Sequence, residues 1–176
     1  YNETGKYYQI ISVNSGKSLD VEDSGTKNGT NVQQYTAKQI EAQQWILKSA
    51  GDGYYYIISK CNGLYLDVAN GVANNGTNIQ MYKGNQTTAQ KFKLTKIPEL
   101  ISEQLIEGDG VYTISTALNN SKVLDVAAGS KGNNANIQLW NNDNVQQQKF
   151  QIKYNESGKY YQILSVLWLY LLEHLQ

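Results

Sequence analysis

Apolar residues in this chain recur in short runs at alternate positions, and no stretch carries a convincing amphipathic-helix pattern. Residues 7–13, Tyr-Tyr-Gln-Ile-Ile-Ser-Val, are aromatic and β-branched and run into Asn14, Ser15, Gly16 and Lys17, so strand, tight turn and strand are predicted. In the second strand, 18–21, side chains alternate, so Leu19 and Val21 enter the core and Asp20 is expected to point outward. A Gly/Asn-rich loop over 22–31, a short strand at 32–35, a second polar loop and a strand around 45–47 complete a unit of about four strands.

The same pattern occurs three times. Asp20, Asp67 and Asp125 each follow a leucine and precede a valine; 13 residues later stand Gln33, Gln80 and Gln138, and 15 residues later Tyr35, Tyr82 and Trp140. Each unit closes on a Gln-x-aromatic: Gln43 with Trp45, Gln90 with Phe92, and Gln148 with Phe150. A fixed polar and aromatic set at fixed spacing implies one repeated supersecondary unit. Units are expected at about 7–48, 54–95 and 110–152, with a connector at 95–107 where Pro98 blocks a central strand and residues 99–105 suit one helical turn. Twelve short strands in three units predict an all-β, closed fold with threefold pseudosymmetry.

Residues 154–166 repeat residues 1–13 with changes only at Thr4/Ser157 and Ile11/Leu164, as if a fourth unit had begun. Leu167, Trp168, Leu169 and Tyr170 then replace the turn formers. The segment 154–176 reads either as the start of a further repeat ending in unrelated, vector-derived residues or as an apolar tail that packs on a partner. Its apolar run of about 11 residues is too short to span a bilayer.

Composition narrows the function. The 176 residues carry 15 acidic and 15 basic side chains, all the latter lysine, with no basic stripe interleaved with aromatics, which argues against nucleic acid. The absence of arginine and the wealth of Asn, Gln, Tyr and Ile suggest an AT-rich genome. The single cysteine, Cys61, offers no internal disulfide and reads as a packing residue. The start lacks the basic and apolar signature of a signal peptide, so residue 1 reads as a domain boundary. Asn-x-Ser/Thr triplets at Asn2, Asn28, Asn75, Asn85, Asn119 and Asn155 are what an Asn-rich chain makes by chance. Catalysis finds little support: each unit offers one recurring carboxylate where a glycosidase needs two, Glu22 and Asp23 lack counterparts, and His174 stands alone in the tail. No cofactor or metal is implied.

The three Leu-Asp-Val segments, the Gln-x-aromatic strands and the closing Gln-x-Trp/Phe resemble the ricin-type β-trefoil lectins and the carbohydrate-binding modules of secreted glycosidases, over residues 7–152. The resemblance implies a β-trefoil within 1–153 that binds sugar without catalysis. In it the aspartate accepts hydroxyl hydrogen bonds, the aromatic stacks on the ring, and amides complete the set. Site one would use Asp20, Gln33, Tyr35 and Gln43; site two Asp67, Gln80, Tyr82 and Gln90; site three Asp125, Gln138, Trp140, Gln147 and Gln148. The expected partners are galactose-type or other pyranoside glycans, and the expected context is a larger extracellular bacterial protein. The position before the closing glutamine, an amide in many members, holds Ala42, Ala89 and Gln147, and only unit three has tryptophan as its ring, so site three is expected to be the strongest.

Structural roles compete with these. The closing glutamines adjoin core aromatics and read as bonding loop backbone, and the aspartates suit capping of the Asn/Gly loops. Tyr7, Tyr8, Tyr54, Tyr55 and Tyr112 read as hairpin and core packing. The alternative function is a protein-interaction trefoil with silent sugar sites.

Overall fold

The computed structural model describes residues 6–97 and 110–155, so most of the connector, with its expected helical turn, and the chain beyond 155 lie outside the described residues. Twelve strands form in the expected order, four per unit: β1 Tyr7–Ser12, β2 Ser18–Val21, β3 Thr30–Tyr35 and β4 Trp45–Gly51; β5 Tyr54–Ser59, β6 Tyr65–Val68, β7 Ile79–Tyr82 and β8 Phe92–Lys96; β9 Gly110–Thr116, β10 Asn119–Val126, β11 Ala135–Asn141 and β12 Phe150–Asn155. The described helical segments are three-residue 3-10 turns, which follow the second and third strands of each unit.

The first and fourth strands of the units close a six-stranded ring by antiparallel pairing, in the order β1, β4, β5, β8, β9, β12 and back to β1. Hairpins β2–β3, β6–β7 and β10–β11 cap one end and join each other around the pseudo-threefold axis through β11–β3, β3–β7 and the Asn78–Gln138 bridge. This is a β-trefoil. Gly51, Asp52 and Gly53 make the turn between units one and two, all three with positive φ (82°, 53° and 77°), which is why two of them lack a side chain. Gly110 begins β9.

Two boundaries move. Thr95 and Lys96, assigned to the connector, continue β8 against β9. Tyr154 and Asn155, the first residues of the repeated segment, belong to β12 and pair with Tyr8 and Tyr7. The last strand therefore takes its final rungs from what reads in sequence as a new unit.

The core is built from threefold sets: Ile10, Ile57 and Ile114; Leu19, Leu66 and Leu124; Val21, Val68 and Val126; Val32, Ile79 and Ile137; and Trp45, Phe92 and Phe150, all essentially sealed from solvent. The indole N–H of Trp45 donates to the Leu19 carbonyl at 3.3 Å, so the bulkiest core ring is also satisfied. Cys61 is free and half-buried, with its sulfur 3.2 Å from the Ser59 hydroxyl. Phe150→Ala is expected to cost about 3–5 kcal/mol in urea denaturation, whereas Val13→Ala, at an exposed position, stays within about 0.5 kcal/mol.

Candidate functional site

The spacing of 13 residues between aspartate and glutamine is a strand-pairing distance: Asp20 faces Gln33, Asp67 faces Gln80 and Asp125 faces Gln138 directly across their hairpins. Each glutamine Nε2 donates to Oδ1 of its aspartate, at 3.1, 2.9 and 3.2 Å. The second carboxylate oxygen accepts from the closing glutamine, which a 3-10 turn carries beneath the aspartate: Gln43 at 2.9 Å, Gln90 at 3.1 Å and Gln148 at 3.2 Å. The aspartates do point away from the apolar core, but they are buried, at only 4–5 % exposed, rather than standing on the surface.

The closing glutamines are fully buried and fully used. Besides the aspartate, Nε2 of each donates to the carbonyl of the residue after the ring, Thr36, Lys83 or Asn141, and Oε1 accepts from the backbone N–H of Lys38, Asn85 or Asp143. With two amide hydrogens and one carbonyl all committed, Gln43, Gln90 and Gln148 have no N–H left for a ligand. They bond loop backbone, the structural role read beside the ligand role, and hold the aspartate and the loop in place. The capping role considered for the aspartates is not seen either; the 3-10 turns after them have no side-chain cap.

Around Asp125 the cradle opens into a cleft of about 250 Å³ lined by Gln138, Trp140, Gln147, Asp143, Val145 and Ala128, with Gln148 at its base. The indole of Trp140 is 38 % exposed there; Tyr35 and Tyr82, its counterparts, are half-buried. The Gln147 amide packs beside Gly129, whose φ of 60° favours glycine there. Ala128 sits in the left-handed region at φ 55°, as Asp23 and Asn70 do at the matching positions. Asparagine and aspartate tolerate that backbone and alanine less so, so unit three pays with mild strain for an apolar wall. Ala128, Asp143 and Val145 were not singled out from sequence; their signal is position, 3, 18 and 20 residues after the aspartate.

The site walls are held from neighbouring units. Asn14 donates to the Gly129 carbonyl at 2.9 Å and Asn62 to the Gly25 carbonyl at 2.8 Å. Gln34 is buried where units two and three have the core residues Met81 and Leu139; its amide donates to the Ser130 and Gly132 carbonyls and its oxygen accepts from Ser15. The residue after each ring is braced by the preceding unit in a cycle: Asn133 Oδ1 accepts from the Thr36 N–H, Asn28 Oδ1 from the Lys83 N–H, and Asn75 Oδ1 from Lys122 Nζ, which also donates to Asn141. Asn28 and Asn75 belong to the triplets that carried no weight in sequence.

Burial lifts the carboxyls of Asp67 and Asp125 above the ordinary value of 3.8, against the pull of the two glutamine bonds; the negative charge of Asp143 adds to the rise at Asp125.

A model of the ricin-type beta-trefoil lectin domain-like family matches residues 1–82 and 86–167. Among solved structures, the designed 3-fold symmetric protein ThreeFoil is 32 % identical, with a TM-score of 0.73 over 83 % of this chain and 96 % of its own. An exo-β-1,3-galactanase from Clostridium thermocellum is 30 % identical, with a TM-score of 0.77 over 86 % of this chain; the chain spans 31 % of that enzyme. A ricin B-like lectin of Macrolepiota procera, solved in complex with lactose, is 19 % identical, with a TM-score of 0.69 over 87 % of this chain and 98 % of its own, a likeness of fold. No curated protein matches the sequence.

Because native Asp67 and Asp125 hold their protons more tightly than the unfolded chain does, their contribution to stability is complete below pH 3.8 and is lost as pH rises through their native values. Carbon-detected NMR titration should find both above 3.8, and Asp125→Asn should remove part of the fall in urea midpoint over that window. Gln148→Ala strands two backbone groups and the carboxylate and is expected to cost about 2 kcal/mol or more, whereas Gln147→Ala stays within about 0.5 kcal/mol; parallel urea denaturation checks the pair.

Proposed function

The chain belongs to the ricin-type β-trefoil lectin domain-like family, and from that membership we propose that it is a non-catalytic carbohydrate-binding module with up to three shallow sites, the principal one on unit three. The observation that carries this reading is the cleft in which Asp125, Gln138, Trp140 and Gln147 converge. Glutamine amides occupy one lone-pair position on each Asp125 oxygen, and a carboxylate has about four, so both oxygens keep capacity for sugar hydroxyls. Trp140 stacks on the apolar C–H face of a pyranose, and the Gln138 and Gln147 side chains complete the hydrogen bonds.

Sites one, with Asp20, Gln33 and Tyr35, and two, with Asp67, Gln80 and Tyr82, share the cradle but have Ala42 and Ala89 in place of Gln147. They add avidity to a weak principal site, since linked sites gain on the order of 10²-fold without new contacts. The ligands in this reading are galactose-type or related pyranosides on a polysaccharide or glycoconjugate, in keeping with a structural relative that was solved with lactose. The similar part of the galactanase is a minor share of a longer chain, which supports a module within a larger extracellular bacterial protein.

A glycan array of the wild type beside Asp125→Ala, Trp140→Ala and Asp20→Ala tests this. Binding is expected to fall about tenfold or more in the two unit-three variants and less in Asp20→Ala; Trp140→Ala alters an exposed ring and keeps the test independent of the cradle's folding. Equal losses from Asp20→Ala and Asp125→Ala overturn the ranking. A blank array in multivalent format overturns carbohydrate binding.

A further inference from the structure

In every unit the closing glutamine fixes the backbone N–H of the residue 18 positions after the aspartate, with distances of 2.7 Å to Lys38, 2.9 Å to Asn85 and 2.9 Å to Asp143. The main chain is thus held at the same place on each rim while the side chain changes from cation to amide to anion. The two charged cases face their sites. The Lys38 ammonium lies 5.6 Å from the centroid of the Tyr35 ring, and Asp143 lines the unit-three cleft together with Asp125. No lysine is among the residues that line that cleft, so it presents two carboxylates with no charge to offset them.

We propose that Asp143 is the specificity-determining residue of site three, which admits neutral and amine-bearing pyranosides and rejects carboxylated or sulfated ones. Lys38 is the opposite setting of the same rim position in site one, where a cation lies 5.6 Å from the centroid of the Tyr35 ring. The inference rests on site three being a carbohydrate site. The physical basis is elementary: a sugar carboxylate bound over Trp140 brings a third negative charge into a partly desolvated cleft, whereas a sugar ammonium gains two attractions. Burial is the main reason that Asp125 holds its proton more tightly than an ordinary carboxyl, and the charge of Asp143 adds to it.

The side-chain N–H of Trp140 reports site three by itself, so the test is a ¹H–¹⁵N NMR titration of the full chain with galactose, galactosamine and galacturonic acid, and with the gluco series of the same three. The pH is mildly acidic, where the amine is protonated and the sugar acid ionised. At low salt the amine is expected to bind about fivefold more tightly than the neutral sugar and the acid about fivefold more weakly, with both gaps narrowing as salt rises. Asp143→Asn, which keeps the backbone bond to Gln148, should close the gaps, and Asp143→Lys should invert the order. Equal affinities for the three charge classes, or an order unchanged in Asp143→Asn, overturn the charge gate alone. A Trp140 resonance silent to all six sugars overturns the carbohydrate reading of site three and the gate with it.

Discussion

A carboxylate taken out of water must be met by donors, and in this protein the meeting is made by two glutamine amides per unit. One comes from across the hairpin and one from the 3-10 turn below, so the aspartate ties together three segments that are 13 and 23 residues apart. The closing glutamine then spends its remaining groups on the loop after the ring. A single buried charge therefore sets the position of the aromatic, the rim residue and the floor of the cleft. The cost of burial is not fully recovered, since Asp67 and Asp125 hold their protons more tightly than ordinary carboxyls. What the arrangement provides is geometry: a carboxylate aimed outward, with half its lone pairs free.

Much of this was legible from spacing, because spacing in a repeat protein is a direct image of strand pairing. The fixed spacings were enough to read the three units, the four strands of each and the core faces of Leu19 and Val21, while the pairing of Asp20 with Gln33 across the hairpin, which sets the distance between them, is what the structure adds. Less legible was anything that depends on depth. Sequence alternation tells which way Asp125 points relative to Leu124, but not that a 3-10 turn brings Gln148 underneath and closes it off. The closing glutamines read in sequence both as ligand groups and as bonding loop backbone, and only the depth of the turn shows how fully the backbone uses them. Contacts between units were the least visible: Asn28, Asn75 and Asn133 are exposed loop residues whose partners lie in another repeat, and no local pattern announces them.

The pseudosymmetry is a framework on which the units have diverged, most at the positions that line the sites. Core sets such as Ile10, Ile57 and Ile114 keep the same residue, while the cleft positions carry Asp23, Asn70 and Ala128, or Ala42, Ala89 and Gln147. Packing tolerates little change in a shared barrel, and a solvent-facing rim tolerates a good deal. Gln34 is an instructive exception. It puts an amide where the other units have Met81 and Leu139, and every one of its bonds reaches a neighbouring hairpin or loop that borders site three.

The bracing asparagines run in one direction round the molecule, from unit three to one, from one to two and from two to three. No repeat thus braces its own rim, for the asparagine that holds the residue after each ring, directly or through Lys122, belongs to a neighbour. A lone forty-residue unit could complete itself only by recruiting two copies, forming a homotrimer. In the joined chain the third repeat supplies the first with that brace, and a fragment of the first two repeats would leave the Thr36 N–H without its Asn133 partner.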